Sequence, residues 1–161
     1  MTLSKNILAM MIAMILLSVT SCGGDKDEEV INYAKDIEGV YKGTLNFGGF
    51  PIENDVVIKM DYKNDNTVAL VLNQTINDIP NIGTFPLNVS CDCEVSFSGS
   101  RYNIFCNTEV RIPIAPSTGF PDIIVPTSID GYITKEYRAN IDINVEFAGS
   151  QIAVIFIGQK Q

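Results

Sequence analysis

Residues 85–114 read Phe85-Pro86-Leu87-Asn88-Val89-Ser90-Cys91-Asp92-Cys93-Glu94-Val95-Ser96-Phe97-Ser98-Gly99-Ser100-Arg101-Tyr102-Asn103-Ile104-Phe105-Cys106-Asn107-Thr108-Glu109-Val110-Arg111-Ile112-Pro113-Ile114. Phe85, Leu87, Val89, Cys91, Cys93, Val95 and Phe97 alternate with mostly polar residues. Tyr102, Ile104, Cys106, Thr108, Val110, Ile112 and Ile114 do the same on the return. Period-2 alternation marks two half-buried strands. Gly99-Ser100 between them places glycine first in a two-residue turn, as a type II′ hairpin requires. That register sets Phe97 opposite Tyr102, Val95 opposite Ile104 and Cys93 opposite Cys106.

Counting outward from the turn, Cys93 and Cys106 fall on a non-hydrogen-bonded pair, whose Cα atoms lie ~4.5 Å apart. This is within the range a disulfide spans, so a Cys93–Cys106 bond is expected in an exported chain. Cys91 shares the same face and is the diagonal alternative. A free trio is the third reading, since reduced cysteine packs well in a core. A Cys-x-Cys with one distant cysteine is too small a set for structural zinc, and the chain has no histidine to complete it. No metal and no cofactor is expected. Paired to its ends, this hairpin would run ~50 Å at ~3.3 Å per residue, too long for a compact domain. Pro86 and Pro113 oppose each other in that register, so pairing is expected to stop before them.

The rest of the mature chain follows the same period. Tyr41, Leu45 and Phe47 face one way, with Gly43 among them as a sign of close approach or a bend. Val56, Ile58, Met60 and Tyr62 lead into a turn at residues 64–66, and Val68, Leu70 and Leu72 return. That sets Tyr62 opposite Val68, Met60 opposite Leu70 and Ile58 opposite Leu72. Asp61 and Asp65 flank this turn, which lacks the closing Glu of an EF-hand and reads as turn chemistry. Residues 76–83 and 115–127 are expected to be long apolar loops, with a strand at residues 129–134 between the second loop and a last hairpin. There Gly149-Ser150 would turn, setting Phe147 opposite Ile152 and Val145 opposite Val154. Ala153, Ile155 and Ile157 make the other face apolar, which asks for a cover. Residues 30–37 have room for two helical turns, with Val30, Tyr33, Ala34 and Ile37 on one side. The expected fold class is all-β: about eight strands in an antiparallel up-and-down barrel, with a short N-terminal helix.

Ahead of this domain, Lys5 precedes an uncharged apolar run at residues 7–17. That is short of the ~20 residues a membrane helix needs and fits a signal-peptide core. Val19-Thr20-Ser21-Cys22 follows and resembles the lipobox of bacterial lipoproteins. The resemblance implies cleavage before Cys22 and lipid attachment at its sulfur and amino group. The acidic cluster Asp25, Asp27, Glu28 and Glu29 resembles the export signal of surface lipoproteins of anaerobic Gram-negative gut bacteria. It reads equally as a solvated tether. The organisation expected is a signal peptide at residues 1–21, a lipid-anchored acidic tether at 22–36 and the barrel at 37–161. Localisation follows as the outer membrane, on the cell surface or on the periplasmic face.

Residues 36–45, Asp-Ile-Glu-Gly-Val-Tyr-Lys-Gly-Thr-Leu, resemble the first strand of calycin-like barrels found in such lipoproteins. More loosely they resemble the lipocalin Gly-x-Trp strand, with Tyr41 at the Trp position. Residues 145–158 resemble that family's last hairpin. The family implies a small apolar or amphipathic ligand held in the barrel.

Function classes narrow by composition. Removing 21 of the 161 residues leaves 140 with 10 basic and 19 acidic side chains, a net of −9. No basic run meets phosphates, so nucleic acid is excluded as a partner. Without histidine the commonest general base is missing, and the serines form no nucleophile elbow. Asp92 and Glu94 read as a solvated strand face, and only a two-carboxylate hydrolase remains chemically open. Two readings stand. In the first, a non-enzymatic barrel binds a small apolar ligand through Tyr41, Met60, Leu70, Tyr102 and Phe147, which are large and face inward. In the second, a filled barrel contacts another protein or a glycan through its loops or outer face. The discriminating observation is whether the interior is hollow.

Overall fold

The computed structural model describes residues 32–79, 83–112, 123–147 and 149–161. They form one short helix, α1 (Tyr33–Ile37), and eight strands: β1 (Gly39–Phe47), β2 (Phe50–Asn64), β3 (Thr67–Ile79), β4 (Gly83–Ser98), β5 (Arg101–Ile112), β6 (Ile123–Thr134), β7 (Arg138–Phe147) and β8 (Ser150–Lys160). Each strand pairs antiparallel with the next, and β8 returns to β1, closing an up-and-down barrel.

Alternation decides which side of the wall each residue takes. Tyr41, Leu45, Ile58, Met60, Leu70, Leu72, Ile104, Ile129, Ile141, Ile143 and Phe156 are fully buried inside. Lys42, Lys59, Glu94, Asp130 and Glu146 stand outside. An apolar interior and polar exterior is the reverse of a membrane-spanning barrel, whose lipid face must be apolar. No helix among the described residues is long and apolar enough to cross a membrane.

Closure depends on two glycines. Gly43 of β1 pairs with Gly158 of β8. A Cβ on Gly43 would overlap the Ile157 carbonyl oxygen and stand 2.5 Å from Gly158 Cα. A Cβ on Gly158 would run into the Phe156 ring, which lies across it, and stand 2.8 Å from the Lys42 carbonyl oxygen. The close approach expected at Gly43 is therefore real, and it sits at the seam where first and last strands meet.

One end of the barrel carries the β2–β3, β4–β5 and β6–β7 turns, and α1 packs there. Five residues do not make a stable helix alone. This one starts where the Asn32 side chain accepts from the Lys35 N–H at 2.9 Å, an N-cap bond. It is then held by burial of Ala34 and Ile37. The Tyr41 hydroxyl donates to the Ile37 carbonyl at 2.9 Å, and the Tyr102 hydroxyl to the Asp36 carboxylate at 3.0 Å. Tyr33 stacks on Phe97 with centroids 5.7 Å apart, and Phe97 meets Tyr102 at 4.9 Å. Tyr33–Ile37 thus belongs with the barrel as its plug.

The β4–β5 register is as the turn dictates: Phe97 opposes Tyr102, Val95 opposes Ile104, and Gly99 takes φ +66°. The β2–β3 pairs Tyr62–Val68, Met60–Leu70 and Ile58–Leu72 also form. Tyr62 is an exception to the shared core, being exposed at the rim with its hydroxyl on Asp65. Asn64 accepts from the Asn66 N–H at 3.1 Å, so this stretch is an Asx-stabilised turn.

Three expectations are corrected. In the last hairpin Phe147 opposes Ser150 and Val145 opposes Ile152, two residues away from the predicted register. Gly149 with φ +75° takes the second turn position rather than the first. A slip of two keeps every side chain on its face, so alternation is blind to it. Next, the predicted loop at residues 76–83 is mostly strand: β3 runs to Ile79, β4 starts at Gly83, and Ile76 is fully buried. Likewise β6 begins at Ile123, inside the predicted second loop, whose residues 115–122 lie outside the described set. Finally, the β4–β5 ladder ends at Glu94–Phe105, one pair short of the cysteines. Beyond that point β4 stays paired with β3, and β5 with β6, while β4 and β5 part.

Candidate functional site

The parting of β4 and β5 leaves a seam in the wall, and the three cysteines sit at its crotch on the inner side. Cys93 is fully buried, Cys106 nearly so, and Cys91 half-buried. Their ladder neighbours are apolar: Leu70 opposite Cys91, Val68 opposite Cys93, Ile129 opposite Cys106. The Sγ atoms of Cys106 and Cys91 lie 2.7 Å apart, and those of Cys91 and Cys93 3.6 Å. All three sulfurs fall within 4.8 Å of one another. The three cysteines are free thiols here, and Cys91, the diagonal candidate, brings its sulfur to 2.7 Å from that of Cys106.

The protons on this trio are held unequally. The close sulfur neighbours perturb one another unequally: interaction with Cys91 and Cys93 lowers the Cys106 pKa, while interaction with Cys106, with burial, raises those of Cys91 and Cys93. The Cys91 and Cys106 sulfurs, at 2.7 Å, are closer than the Cys91 and Cys93 sulfurs, at 3.6 Å. Oxidation of the protein is expected to join Cys91 to Cys106 in preference to Cys93 to Cys106. Peptide mapping under non-reducing conditions checks this, and a dominant Cys93–Cys106 peptide would contradict it. Closing that loop contributes roughly 2–3 kcal/mol.

The residues expected to line a ligand cavity fall in three groups. Tyr41, Met60 and Leu70 are inside the barrel with no exposure at all. A hollow large enough for water would expose the groups around it, so these three border none. Burial, more than neighbouring hydroxyls, pushes the Tyr41 phenol pKa up, and its one hydroxyl bond goes to Ile37. Tyr102 belongs to the aromatic plug at the α1 end. Its pKa is pushed up to about 12, mainly by burial and then by its bond to Asp36. Phe147 closes β7, and its side chain lies outside the described set. Cys22, the expected lipid site, also lies outside the described residues.

Among the described residues, depressions occur on the outer wall. One of about 420 Å³ is lined by Asn66, Glu94, Ser96, Asn103, Phe105 and Asp130 among others. Phe105 presents an aromatic ring, 46% exposed, on this otherwise polar surface. Sequence reading passed over it, although an aromatic standing among Asn103 and Asn107 on the outward face was the available signal. A second depression of about 310 Å³ lies over Asn107, Pro126, Ser128, Asn144 and Glu146. The face expected to need a cover is narrower than anticipated. Ile157 is 54% exposed, but its ladder neighbours are Thr44 and Asn140, and those of Ile155 are Asn46 and Asp142. One apolar column between polar ones needs no partner, and α1 packs elsewhere.

Fold and site together define a closed antiparallel eight-stranded barrel with an apolar interior packed around the described core residues, a helical plug and a trio of thiols, two buried and one half-buried. No protein-family model, no curated protein and no solved structure matches the chain.

Proposed function

We propose that this is a calycin-like lipoprotein, anchored in the outer membrane through Cys22 and carried on the cell surface. Its barrel works as a non-enzymatic recognition module for a neutral glycan, bound on the outer wall. The observation that carries this reading is the distribution of space. The inward candidates Tyr41, Met60 and Leu70 border no void, whereas among the described residues an open volume lies outside, over amides, hydroxyls and carboxylates beside Phe105. A few placed polar groups around an apolar surface are what fix a ligand's orientation. Amides and carboxylates suit sugar hydroxyls, and the Phe105 ring offers a flat face for a pyranose. Glu94 and Asp130 within the site, and a mature net charge of −9, disfavour anionic polysaccharides and nucleic acid.

The alternative of a small apolar ligand inside the barrel requires Tyr41, Met60 and Leu70 to move apart. Its support is the family resemblance of the first strand. A neutral-glycan array probed with the full chain and with Phe105→Ala tests the proposal. Expected is a defined set of neutral glycans bound by the parent and lost, by about tenfold or more, in the variant, as for an interface anchor. No glycan binding, or binding indifferent to Phe105→Ala, would remove the outer-wall reading.

A further inference from the structure

The three-thiol cluster has the composition of a ligand set, and the barrel leaves it reachable at one edge. We propose that Cys91, Cys93 and Cys106 form a binding site for a trivalent thiophilic metalloid, with As(III) as its type. This is independent of the outer-wall reading.

Geometry is the first argument. Sulfur bonds to an ion of this kind are near the ~2.3 Å of zinc–thiolate, so three sulfurs on one centre stand roughly 3.3–4 Å apart. The Cys91–Cys93 separation of 3.6 Å already lies in that range. Cys106 must draw back from Cys91, where the sulfurs are 2.7 Å apart. No β4–β5 ladder bond is broken by this, because the ladder ends at Glu94–Phe105. The half-buried Cys91 marks the way in.

Charge and coordination number choose the ion. The ladder partners of the three cysteines, Leu70, Val68 and Ile129, are apolar, and Val95 and Ile104, next along β4 and β5 on the same face, are apolar and buried. Among the described residues no histidine, aspartate or glutamate joins the three sulfurs as a fourth ligand. Asp92 lies between Cys91 and Cys93 in sequence but is exposed on the outer face. Zinc prefers four ligands and would carry one net negative charge on three thiolates. A cuprous ion on three thiolates would carry two. A buried unpaired charge is strongly disfavoured. A trivalent centre with three thiolates is neutral and three-coordinate. The exchange is balanced without oxidant or reductant: As(OH)₃ gives up three hydroxyls, each cysteine gives up its thiol proton, three As–S bonds form and three waters leave.

The test uses the full chain, reduced, with Cys22→Ala so that only the trio's thiols are counted. Sodium arsenite is the probe. One equivalent is expected to protect all three thiols from alkylation and to shift the native mass by one arsenic less three protons. Arsenic absorption spectroscopy is expected to show three sulfur neighbours. Cys93→Ser is expected to bind more than about a hundredfold more weakly, beyond the 10–100-fold carried by outer-shell groups. Should that variant fail to fold, blocking of diamide-induced Cys91–Cys106 bond formation by one equivalent of arsenite in the parent gives the same answer. A thiol left reactive at one equivalent, or a folded Cys93→Ser variant that binds like the parent, overturns the proposal. So does protection of all three thiols by one equivalent of zinc.

Discussion

Gly43→Val is expected to prevent the barrel from closing. The new Cβ would overlap the Ile157 carbonyl oxygen and press on Gly158 Cα, both backbone atoms of the strand that β1 must join. Backbone cannot rotate away as a side chain can. Moving β8 outward would break the β1–β8 ladder and uncover Tyr41, Leu45 and Phe156 together. A loss of more than about 4 kcal/mol is expected, in the exceptional range for one substitution. Urea unfolding followed by circular dichroism measures it. The neighbouring Thr44→Val serves as control, since Thr44 is half-buried beside Ile157 and its change is expected to stay within about 0.5 kcal/mol. A Gly43→Val protein as stable as its parent would mean that the strands at this seam stand further apart than described.

Cys22→Ala is expected to move the protein wholly from the membrane to the soluble fraction. The expectation rests on Val19-Thr20-Ser21-Cys22 and on the polar outer wall, which offers bilayer lipid no apolar band of its own. Each buried methylene contributes ~0.8 kcal/mol, so several acyl chains hold a protein that one chain binds only marginally. Fractionation of cells expressing the variant decides it, and recovery in the membrane fraction equal to the parent would refute lipid anchoring at Cys22.

Some of this fold was legible because two independent signals met on the same residues. In β4–β5 the Gly99 turn set Phe97 opposite Tyr102 and the alternation agreed with it, since a slip of one would have turned every apolar residue outward. In β7–β8 only the turn distinguished two registers that share the same faces, and Ala148-Gly149-Ser150 allowed either. Strand ends were harder, because residues 76–79 and 123–126 read as apolar loop until their ladder partners are known. The thiol trio was half legible. Positions 91, 93 and 106 share a face once the Gly99 turn sets how the strands pair, but the parting of β4 from β5 is a property of the closed barrel, since each strand keeps its other neighbour. Gly43 showed its need for space without showing which strand took it. The outer-wall depression joins Asn66, Glu94, Asn103 and Asp130 from the β2–β3 turn and three strands, a set that sequence spacing does not bring together.

The claim on which the functional reading turns is that the interior is filled. Native mass spectrometry of the Cys22→Ala protein, purified without delipidation, tests it most directly. The account predicts the mass of the bare polypeptide, because Tyr41, Met60 and Leu70 leave no room for a guest. A lipid or other apolar molecule retained in stoichiometric amount, and lost on Met60→Phe, would contradict it and place the binding site inside the barrel.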